Sequence, residues 1–276
     1  MSTVERRCGV LGDPIAHSLS PVLHRAGYAA LGLAWEYDAH RVPAGGLAEF
    51  LGGLDATWRG LSLTMPLKRE ALAAAAEVTD RAALARSANT LLVEDGRAVL
   101  ADNTDLPGAV AAVRERYDGP VRSGTLLGGG ATAASTGLAL CELGAEPVTL
   151  LVRSPDRAAE AVAAVSAHPS GPRVRVGSLA DDPVEGEVVV STVPAAAQDA
   201  GLVARCGGAA VVFEALYDPW PTPLSASAAG RPLVSGLDLL VHQAVLQVEL
   251  FTGRTVEVSV LREAGAAALV ARGSRA

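Results

Sequence analysis

Lysine, asparagine and isoleucine are almost absent from this chain of 276 residues. Lys68 is the single lysine, so 22 of the 23 basic residues are arginines, and Asn89 and Asn103 are the two asparagines. A lysine retained in such a chain is a candidate for chemistry that arginine cannot perform, because lysine can release and take up a proton while arginine stays protonated. Chance survival of one lysine is the competing explanation.

Aromatic residues make up only 4% of the chain, and the formal net charge is −7. Both values argue against a general nucleic-acid-binding protein, which uses a basic surface and aromatic stacking platforms. The three cysteines are odd in number and far apart, which argues against a disulfide framework and a zinc cluster. A cytoplasmic protein without a metal is therefore expected.

Long apolar segments are also scarce. The N-terminal segment lacks the apolar core of a signal peptide. Residues 123–141 form an uncharged stretch of 19 residues, but it contains five glycines, so a strand, a loop and a helix are predicted there rather than a membrane span. We expect no membrane partner, and a monomer or homodimer that binds a small-molecule substrate.

Strand-like and helix-like segments alternate along the chain. In the first hundred residues, Pro21 is typical of a helix start, residues 67–78 predict a helix, and Asp95-Gly96 predicts a turn between two strands. The second half follows a βαβα order with apolar strands, the pattern of a parallel sheet covered on both faces. From Gly236 onward the pattern is helical. The sequence therefore predicts an α/β protein of two domains.

Three consecutive glycines, residues 128–130, end a predicted strand and precede a helix. Their G-x-G-x-x-A spacing permits a tight turn and close approach of a pyrophosphate to the helix N-terminus. An NAD site usually has an acidic residue at the end of the next strand, whereas Arg153 and Arg157 follow that strand here. Arginine pairs well with a phosphate, so the pattern favours NADP. A plain strand–helix turn and ordinary surface arginines are the competing interpretations.

Polar residues, including the rare ones, lie in the loops at strand ends of the first half. They are Ser18, Ser20, Thr64, Lys68, Asn89, Asn103 and Asp105. Each has a structural alternative, and Ser20 and Asn103 in particular are suited to capping helices. Reduction of a carbonyl by hydride leaves an alkoxide that needs a proton, which Lys68 can supply.

Seven segments in the same order resemble the shikimate dehydrogenase family over nearly the whole chain. They are V-L-G-D-P-I-A-H-S-L-S-P at 10–21, S-L-T-M-P-L-K at 62–68, S-A-N-T at 87–90, D-N-T-D at 102–105, the glycine turn, Y-D-P-W-P-T-P-L at 217–224 and G-L-D-L-L-V-H-Q at 236–243. The resemblance implies NADP-linked reduction of 3-dehydroshikimate to shikimate, in the chorismate route to aromatic amino acids.

The resemblance also implies that one domain binds the substrate and the other binds NADP. Residues 1–103 and 237–276 are expected to form an α/β substrate-binding and catalytic domain. Residues 104–236 are expected to form a Rossmann-type NADP domain with a parallel sheet. The C-terminal helices are expected to pack back on the first domain, and the active site to lie in the cleft between the domains.

Individual roles follow from the same resemblance. Lys68 and Asp105 are expected to form the catalytic pair. The expected substrate ligands are Ser18 and Ser20 for the carboxylate, and Thr64, Asn89, Asp105, Tyr217 and Gln243 around the ring. The expected cofactor ligands are Gly128, Gly129, Gly130, Ala131, Arg153, Arg157, Thr192 and Gly236.

The chain departs from the family pattern in several places. The family often has asparagine where Ser62 stands, and its G-A-G-G turn reads G-G-G-A here. Val152 stands in place of the asparagine before the first arginine, and Ser191-Thr192-Val193 in place of N-A-T. A relative that uses quinate or NAD, and a catalytically idle ligand-binding paralogue, stay open as alternatives. The presence of both Lys68 and Asp105 speaks against the idle paralogue.

Overall fold

The computed structural model describes residues 5–273 and divides into two compact units. The first unit falls within Met1–Ala83, Ser87–Thr104 and Leu240–Ala276, and the second comprises Leu84–Arg86 and Asp105–Leu239. Each unit contains one six-stranded sheet with helices. The predicted fold class, an α/β chain of two domains, is confirmed.

Twelve strands and eleven α-helices lie within residues 5–273. The strands are β1 Arg6–Gly12, β2 Trp35–Arg41, β3 Trp58–Leu63, β4 Glu77–Val78, β5 Thr90–Glu94, β6 Arg97–Asp102, β7 Gly124–Leu127, β8 Val148–Val152, β9 Val174–Ser178, β10 Val188–Ser191, β11 Val211–Glu214 and β12 Leu233–Val234. The helices are α1 Ser20–Ala30, α2 Leu47–Gly52, α3 Glu70–Ala74, α4 Asp80–Ala85, α5 Asp105–Arg116, α6 Ala131–Glu142, α7 Pro155–Ser166, α8 Ala200–Arg205, α9 Pro223–Ser227, α10 Gly236–Thr252 and α11 Val258–Gly273.

The first unit contains a mixed sheet in the order β2-β1-β3-β5-β6-β4. β1 is parallel to both of its neighbours, whereas β5 is antiparallel to β3 and to β6. The predicted turn at Asp95-Gly96 joins β5 to β6, and both of its residues have positive φ angles. Helices α10 and α11 contribute to this unit, as predicted for the C-terminal segment.

The second unit contains a fully parallel sheet in the order β12-β11-β10-β7-β8-β9. The chain runs outward from β7 through β8 and β9, then returns to β10 on the other side of β7. Ligands in such sheets bind at the carboxyl ends of the strands where this reversal occurs. The strands β7, β10 and β11 are buried along their whole length, which explains why apolar residues predominate in them.

The predicted helix over residues 67–78 is wrong in its second half. α3 ends at Ala74, and Glu77 and Val78 form the short strand β4, which pairs in parallel with Leu100 and Ala101 of β6. Hydrogen bonding at the sheet edge outweighs the helix propensity of the alanine run here. No pattern described above predicts the short elements α4, α8, α9 and β12.

Gly60 of β3 gives a test of the packing in the first unit. A Cβ atom at this position would overlap the ring of Phe251, which is almost fully buried on α10. Gly60→Ala should lower the free energy of unfolding by about 1–3 kcal/mol, the usual cost of overpacking a core. Chemical denaturation measures this, with Gly52→Ala as control because a Cβ there meets nothing within 4 Å. Equal stability of the two variants would contradict this packing.

Candidate active site

The loops that carry the predicted substrate ligands meet at one edge of the first sheet. β1 and β3 are parallel neighbours, so the chain leaves both strands, after Gly12 and after Leu63, at the same edge. Since β5 is antiparallel to β3, it enters at this edge at Thr90, and β6 ends there at Asp102. We call this border the polar edge. Its adjoining segments contain Ser18, Ser20, Thr64, Lys68, Asn89, Asn103 and Thr104.

Ser18 and Ser20 lie in the loop between β1 and α1. The Ser18 hydroxyl oxygen accepts the backbone N–H of Ser20 at 3.2 Å, and Arg272 of α11 donates to the carbonyl of His17 at 2.7 Å. The interpretation of Ser20 as a helix cap is wrong, because Ser20 is already in α1, the cap residue is Leu19, and no side chain caps the helix.

Lys68 follows β3 in a turn that is fastened to the neighbouring segments. The backbone N–H of Thr64 donates to the carbonyl of Leu11 at 2.9 Å, and the carbonyl of Lys68 accepts the N–H of Ala88 at 2.7 Å. The side chain of Lys68 is half-buried. Thr64 and Lys68 therefore lie beside the segment that contains Asn89.

The carboxamide of Asn89 is buried and uses all of its hydrogen-bonding capacity inside the first unit. Its Nδ2 donates to the hydroxyl of Thr104 at 2.9 Å and to Oε1 of Gln243 at 3.1 Å. Its Oδ1 accepts the N–H of Thr104 and the hydroxyl of Thr90, both at 2.8 Å. The structure thus brings together Asn89 and Gln243, two predicted substrate ligands, and a substrate hydroxyl on Asn89 must replace one of these contacts.

Asp102 is a buried carboxylate at the end of β6. Burial opposes its ionisation, but hydrogen bonds from Arg81, Thr79 and the N–H of Asn103 outweigh this and lower its pKa. The side chain of Asn103 donates to the carbonyl of Ser87 at 2.9 Å. These contacts hold the chain immediately before Asp105, the first residue of α5, which is itself buried.

The glycine turn has the geometry of a phosphate cradle. Gly128 has a φ of 114°, in the region that favours glycine, and a Cβ there would overlap the hydroxyl of Thr192. A Cβ at Gly129 would lie 2.9 Å from Cα of Ala158 on α7. A Cβ at Gly130 would meet nothing within 4 Å. The backbone of the turn therefore packs closely against Thr192 and Ala158, whereas the space beside Gly130 is open.

The open side of the turn faces the start of α6. Gly130 is the cap residue of α6, which begins at Ala131, and no side-chain hydrogen bond caps it. The first N–H groups of a helix have no partners within the helix and suit an anion. Arg153 and Arg157, at the end of β8 and in α7, are exposed. These residues fit a pyrophosphate and a further phosphate group.

Thr192 and Gly236 complete the carboxyl edge of the parallel sheet. The hydroxyl of Thr192 donates to the carbonyl of Leu127 at 3.0 Å, which fixes the end of β10 beside the glycine turn. A Cβ at Gly236 would lie 2.5 Å from the carbonyl carbon of Leu216. The start of α10 therefore approaches the segment that precedes Tyr217 so closely that only glycine fits at position 236.

A buried carboxylate that sequence reasoning missed supports the Tyr217 segment. Glu214 at the end of β11 accepts hydrogen bonds from Thr222 at 2.8 Å and Gln198 at 2.7 Å, and from the N–H of Leu216 at 3.1 Å. Burial raises its pKa although these bonds act in the opposite direction. The one local signal was the T-P-L-S sequence that begins at Thr222, which forms a capping box at α9.

Two features are absent from residues 5–273, the part of the chain that the structure describes. In this part of the chain, no helix combines the length and apolarity needed to cross a membrane. The same residues contain no group of three or more His, Cys, Asp and Glu side chains arranged to hold a metal ion. The three cysteines are buried and form no disulfide.

Comparisons with known proteins give the family. A family model described as the shikimate dehydrogenase substrate binding domain matches residues 10–91, and one described as the shikimate 5'-dehydrogenase C-terminal domain matches residues 236–264. A shikimate dehydrogenase (NADP(+)) from Desulfitobacterium hafniense is 32% identical over 262 residues, which cover 92% of this chain and 95% of that protein. The chain belongs to the shikimate dehydrogenase family.

Solved members of the shikimate dehydrogenase family have the same fold. Mycobacterium tuberculosis shikimate dehydrogenase is 41% identical, with a TM-score of 0.85 over 95% of this chain and 99% of that one. A Thermus thermophilus shikimate 5-dehydrogenase, solved in complex with NADP(H) and shikimate, is 28% identical, with a TM-score of 0.80 over 95% and 99% of the two chains. The family resemblance read from the motifs is confirmed.

The ion pair of Arg81 with Asp102 gives a pH-dependent test of the polar edge. Asp102 has a lowered pKa in the folded protein, so its contribution to stability is present above the unfolded value of about 3.9 and is lost as the pH falls through the folded value. Arg81→Met should therefore lower the free energy of unfolding by about 1–3 kcal/mol at pH 7, and by less as the pH approaches 3.

Urea unfolding at several pH values measures this difference. Arg25→Met is the matched control, because Arg25 and its partner Asp38 are both largely exposed, and such pairs contribute about 0–1 kcal/mol. A loss of stability for Arg81→Met that does not change between pH 7 and pH 3 would contradict the role assigned to Asp102.

Proposed function

We propose that this chain catalyses the reversible, NADP-dependent reduction of 3-dehydroshikimate to shikimate, a step toward aromatic amino acids. The observation that carries the proposal is the polar edge of a chain of this family, where the carbonyl of Lys68 accepts the N–H of Ala88 and the adjacent Asn89 bonds to Gln243. Relatives named as NADP-dependent shikimate dehydrogenases align with almost the whole chain, which supports the same reaction here.

Substrate recognition is assigned to hydroxyl and carboxamide groups. Ser18 and Ser20 would donate to the substrate carboxylate at the start of α1. Thr64, Asn89, Asp105, Tyr217 and Gln243 would bind the ring substituents. Because Asn89 and Gln243 already bond to each other, a ring hydroxyl can take the place of either carboxamide toward the other.

Proton transfer is assigned to Lys68, with Asp105 as its partner. As the substrate carbonyl is reduced, its oxygen gains negative charge and takes a proton from the Lys68 ammonium group. In the reverse direction the neutral amine accepts the proton of the shikimate hydroxyl. The carboxylate of Asp105 would orient the ammonium group. The hydride would come from NADPH when it is held by the second unit.

The second unit is assigned to cofactor binding. Gly128, Gly129, Gly130 and Ala131 would hold the pyrophosphate at the start of α6, with Thr192 and Gly236 lining the same sheet edge. Arg153 and Arg157 would bind the 2′-phosphate that distinguishes NADP from NAD, since bidentate pairing of guanidinium with phosphate is strong. The exposure of both arginines and the open space at Gly130 support this assignment.

An absorbance assay tests the proposed reaction. Purified full-length protein is mixed with shikimate and NADP⁺, and formation of NADPH is followed at 340 nm, with quinate and NAD⁺ in parallel reactions. We expect the fastest turnover with shikimate and NADP⁺. Turnover of quinate alone, or of neither acid, would refute the proposal.

Lys68→Ala should lower kcat for shikimate oxidation by at least about 100-fold, the usual contribution of a general acid–base group. The protein should keep its thermal transition and still bind shikimate in calorimetric titration. Lys68→Arg keeps the positive charge but cannot exchange the proton, so it should fail equally. Near-normal turnover by either variant would remove Lys68 from the chemistry.

The double variant Arg153→Ala/Arg157→Ala should raise KM for NADP⁺ by about 10–100-fold, because it removes charge-assisted contacts to a phosphate. KM for NAD⁺ should change little. The matched control is Arg173→Ala, at an exposed arginine paired with Glu146. Equal losses with NADP⁺ and NAD⁺ would show that the two arginines do not read the 2′-phosphate.

A further inference from the structure

Gln247 is a buried carboxamide that neither the motifs nor the proposed mechanism uses. It lies on α10 one turn after Gln243 and is 1% exposed. Residues four apart on a helix share one face, so both glutamines point toward the polar edge. Burial of a carboxamide is costly unless its hydrogen bonds are made, so the partners of Gln247 define its role.

All four hydrogen-bonding positions of the Gln247 carboxamide are filled. Its Nε2 donates to the carbonyl of Asn89 at 3.1 Å and to the hydroxyl of Thr90 at 2.8 Å. Its Oε1 accepts the hydroxyl of Ser62 at 2.7 Å and lies 3.2 Å from Nε2 of His24. A carboxamide offers two donors and two acceptor positions, so no other residue type of this length satisfies the same four partners.

The direction of these bonds is fixed by the neighbouring groups. Tyr37 donates to the Ser62 hydroxyl at 2.6 Å, and Ser62 in turn donates to Gln247. Burial lowers the pKa of His24 to about 3, so the ring is neutral and its Nε2–H donates to Gln247.

The contacts connect two neighbouring strands of the first sheet to Asn89, a predicted substrate ligand. Ser62 and Thr90 stand opposite each other on β3 and β5, and Gln247 bonds to both. One end of the chain of bonds reaches Asn89, and the other end reaches Tyr37 through Ser62. The family often has asparagine at the position of Ser62. Here the serine hydroxyl accepts a hydrogen bond from Tyr37 and donates one to Gln247.

We propose that Gln247 is a positioning residue for the substrate: it holds the backbone of Asn89 directly, and it holds the hydroxyl of Thr90, which donates to the Asn89 carboxamide. The proposal rests on the proposed function, because it assumes that Asn89 binds the substrate. Gln247 acts through these residues, so its loss should weaken shikimate binding more than it slows the chemical step.

Gln247→Met tests the proposal because methionine keeps the length of the side chain and removes its polar groups. KM for shikimate should rise about tenfold, equivalent to about 1.4 kcal/mol, while kcat falls less than threefold and KM for NADP⁺ is unchanged. Val248→Ala is the matched control, since it removes buried volume from the same helix on a side that faces Gly27. It should lower the thermal transition without raising KM for shikimate.

Gln247→Glu gives a readout that a purely structural role would not produce. Protonated glutamic acid keeps an acceptor and one donor, whereas the carboxylate has no donor and would face the Asn89 carbonyl. Burial raises the pKa of a carboxyl group, so this change should occur within the range of the assay. KM for shikimate in this variant should rise with pH more steeply than in the unmodified protein. Parallel pH profiles would overturn the proposal.

Coupling to Ser62 completes the test. Ser62→Ala and Gln247→Met should together raise KM for shikimate by less than the product of the two single effects, because both break the same chain of bonds. Independent effects, or a KM for Gln247→Met equal to that of Val248→Ala, would overturn the role of Gln247 while the proposed function stands. Absence of shikimate turnover in the unmodified protein would overturn both.

Discussion

Three buried carboxamides, those of Asn89, Gln243 and Gln247, hold the polar edge of the first sheet together. Each lies at or below 5% exposure and needs partners for every N–H and carbonyl group. They find these partners on β3, on β5, in the segment after β6 and on α10, which come from distant parts of the chain. The position of the loops that carry the predicted substrate ligands therefore depends on satisfying buried polar groups, rather than on apolar packing alone.

The carboxyl edge of the second sheet is formed mainly by backbone geometry. The central strands of this sheet are parallel, buried and mostly apolar, and the parallel register brings their carboxyl ends to one edge. Glycine then shapes the predicted cofactor surface, with Gly128 permitting the turn, Gly129 permitting contact with α7 and Gly130 leaving space. A cofactor with several phosphates suits backbone N–H groups, whereas a small hydroxylated acid suits discrete side chains.

Local patterns could be read from the sequence, and long-range contacts could not. The parallel sheet, the glycine turn and the Asp95-Gly96 turn follow from neighbouring residues, so they were predictable. The strand at Glu77–Val78 was not, because its partner β6 lies more than twenty residues away and overrides an alanine-rich helix pattern. Gln247 was missed for the same reason, since its contacts span up to 223 residues. The roles of the individual ligands stay predictions.

A crystal structure of the full chain with shikimate and NADP⁺ tests the central claim most directly. The account predicts the shikimate carboxylate on the hydroxyls of Ser18 and Ser20, with a ring hydroxyl inserted between the carboxamides of Asn89 and Gln243. The hydroxyl at the reacting carbon should lie within hydrogen-bonding distance of Lys68. Shikimate bound away from the polar edge, with Asn89 and Gln243 still bonded to each other, would contradict it.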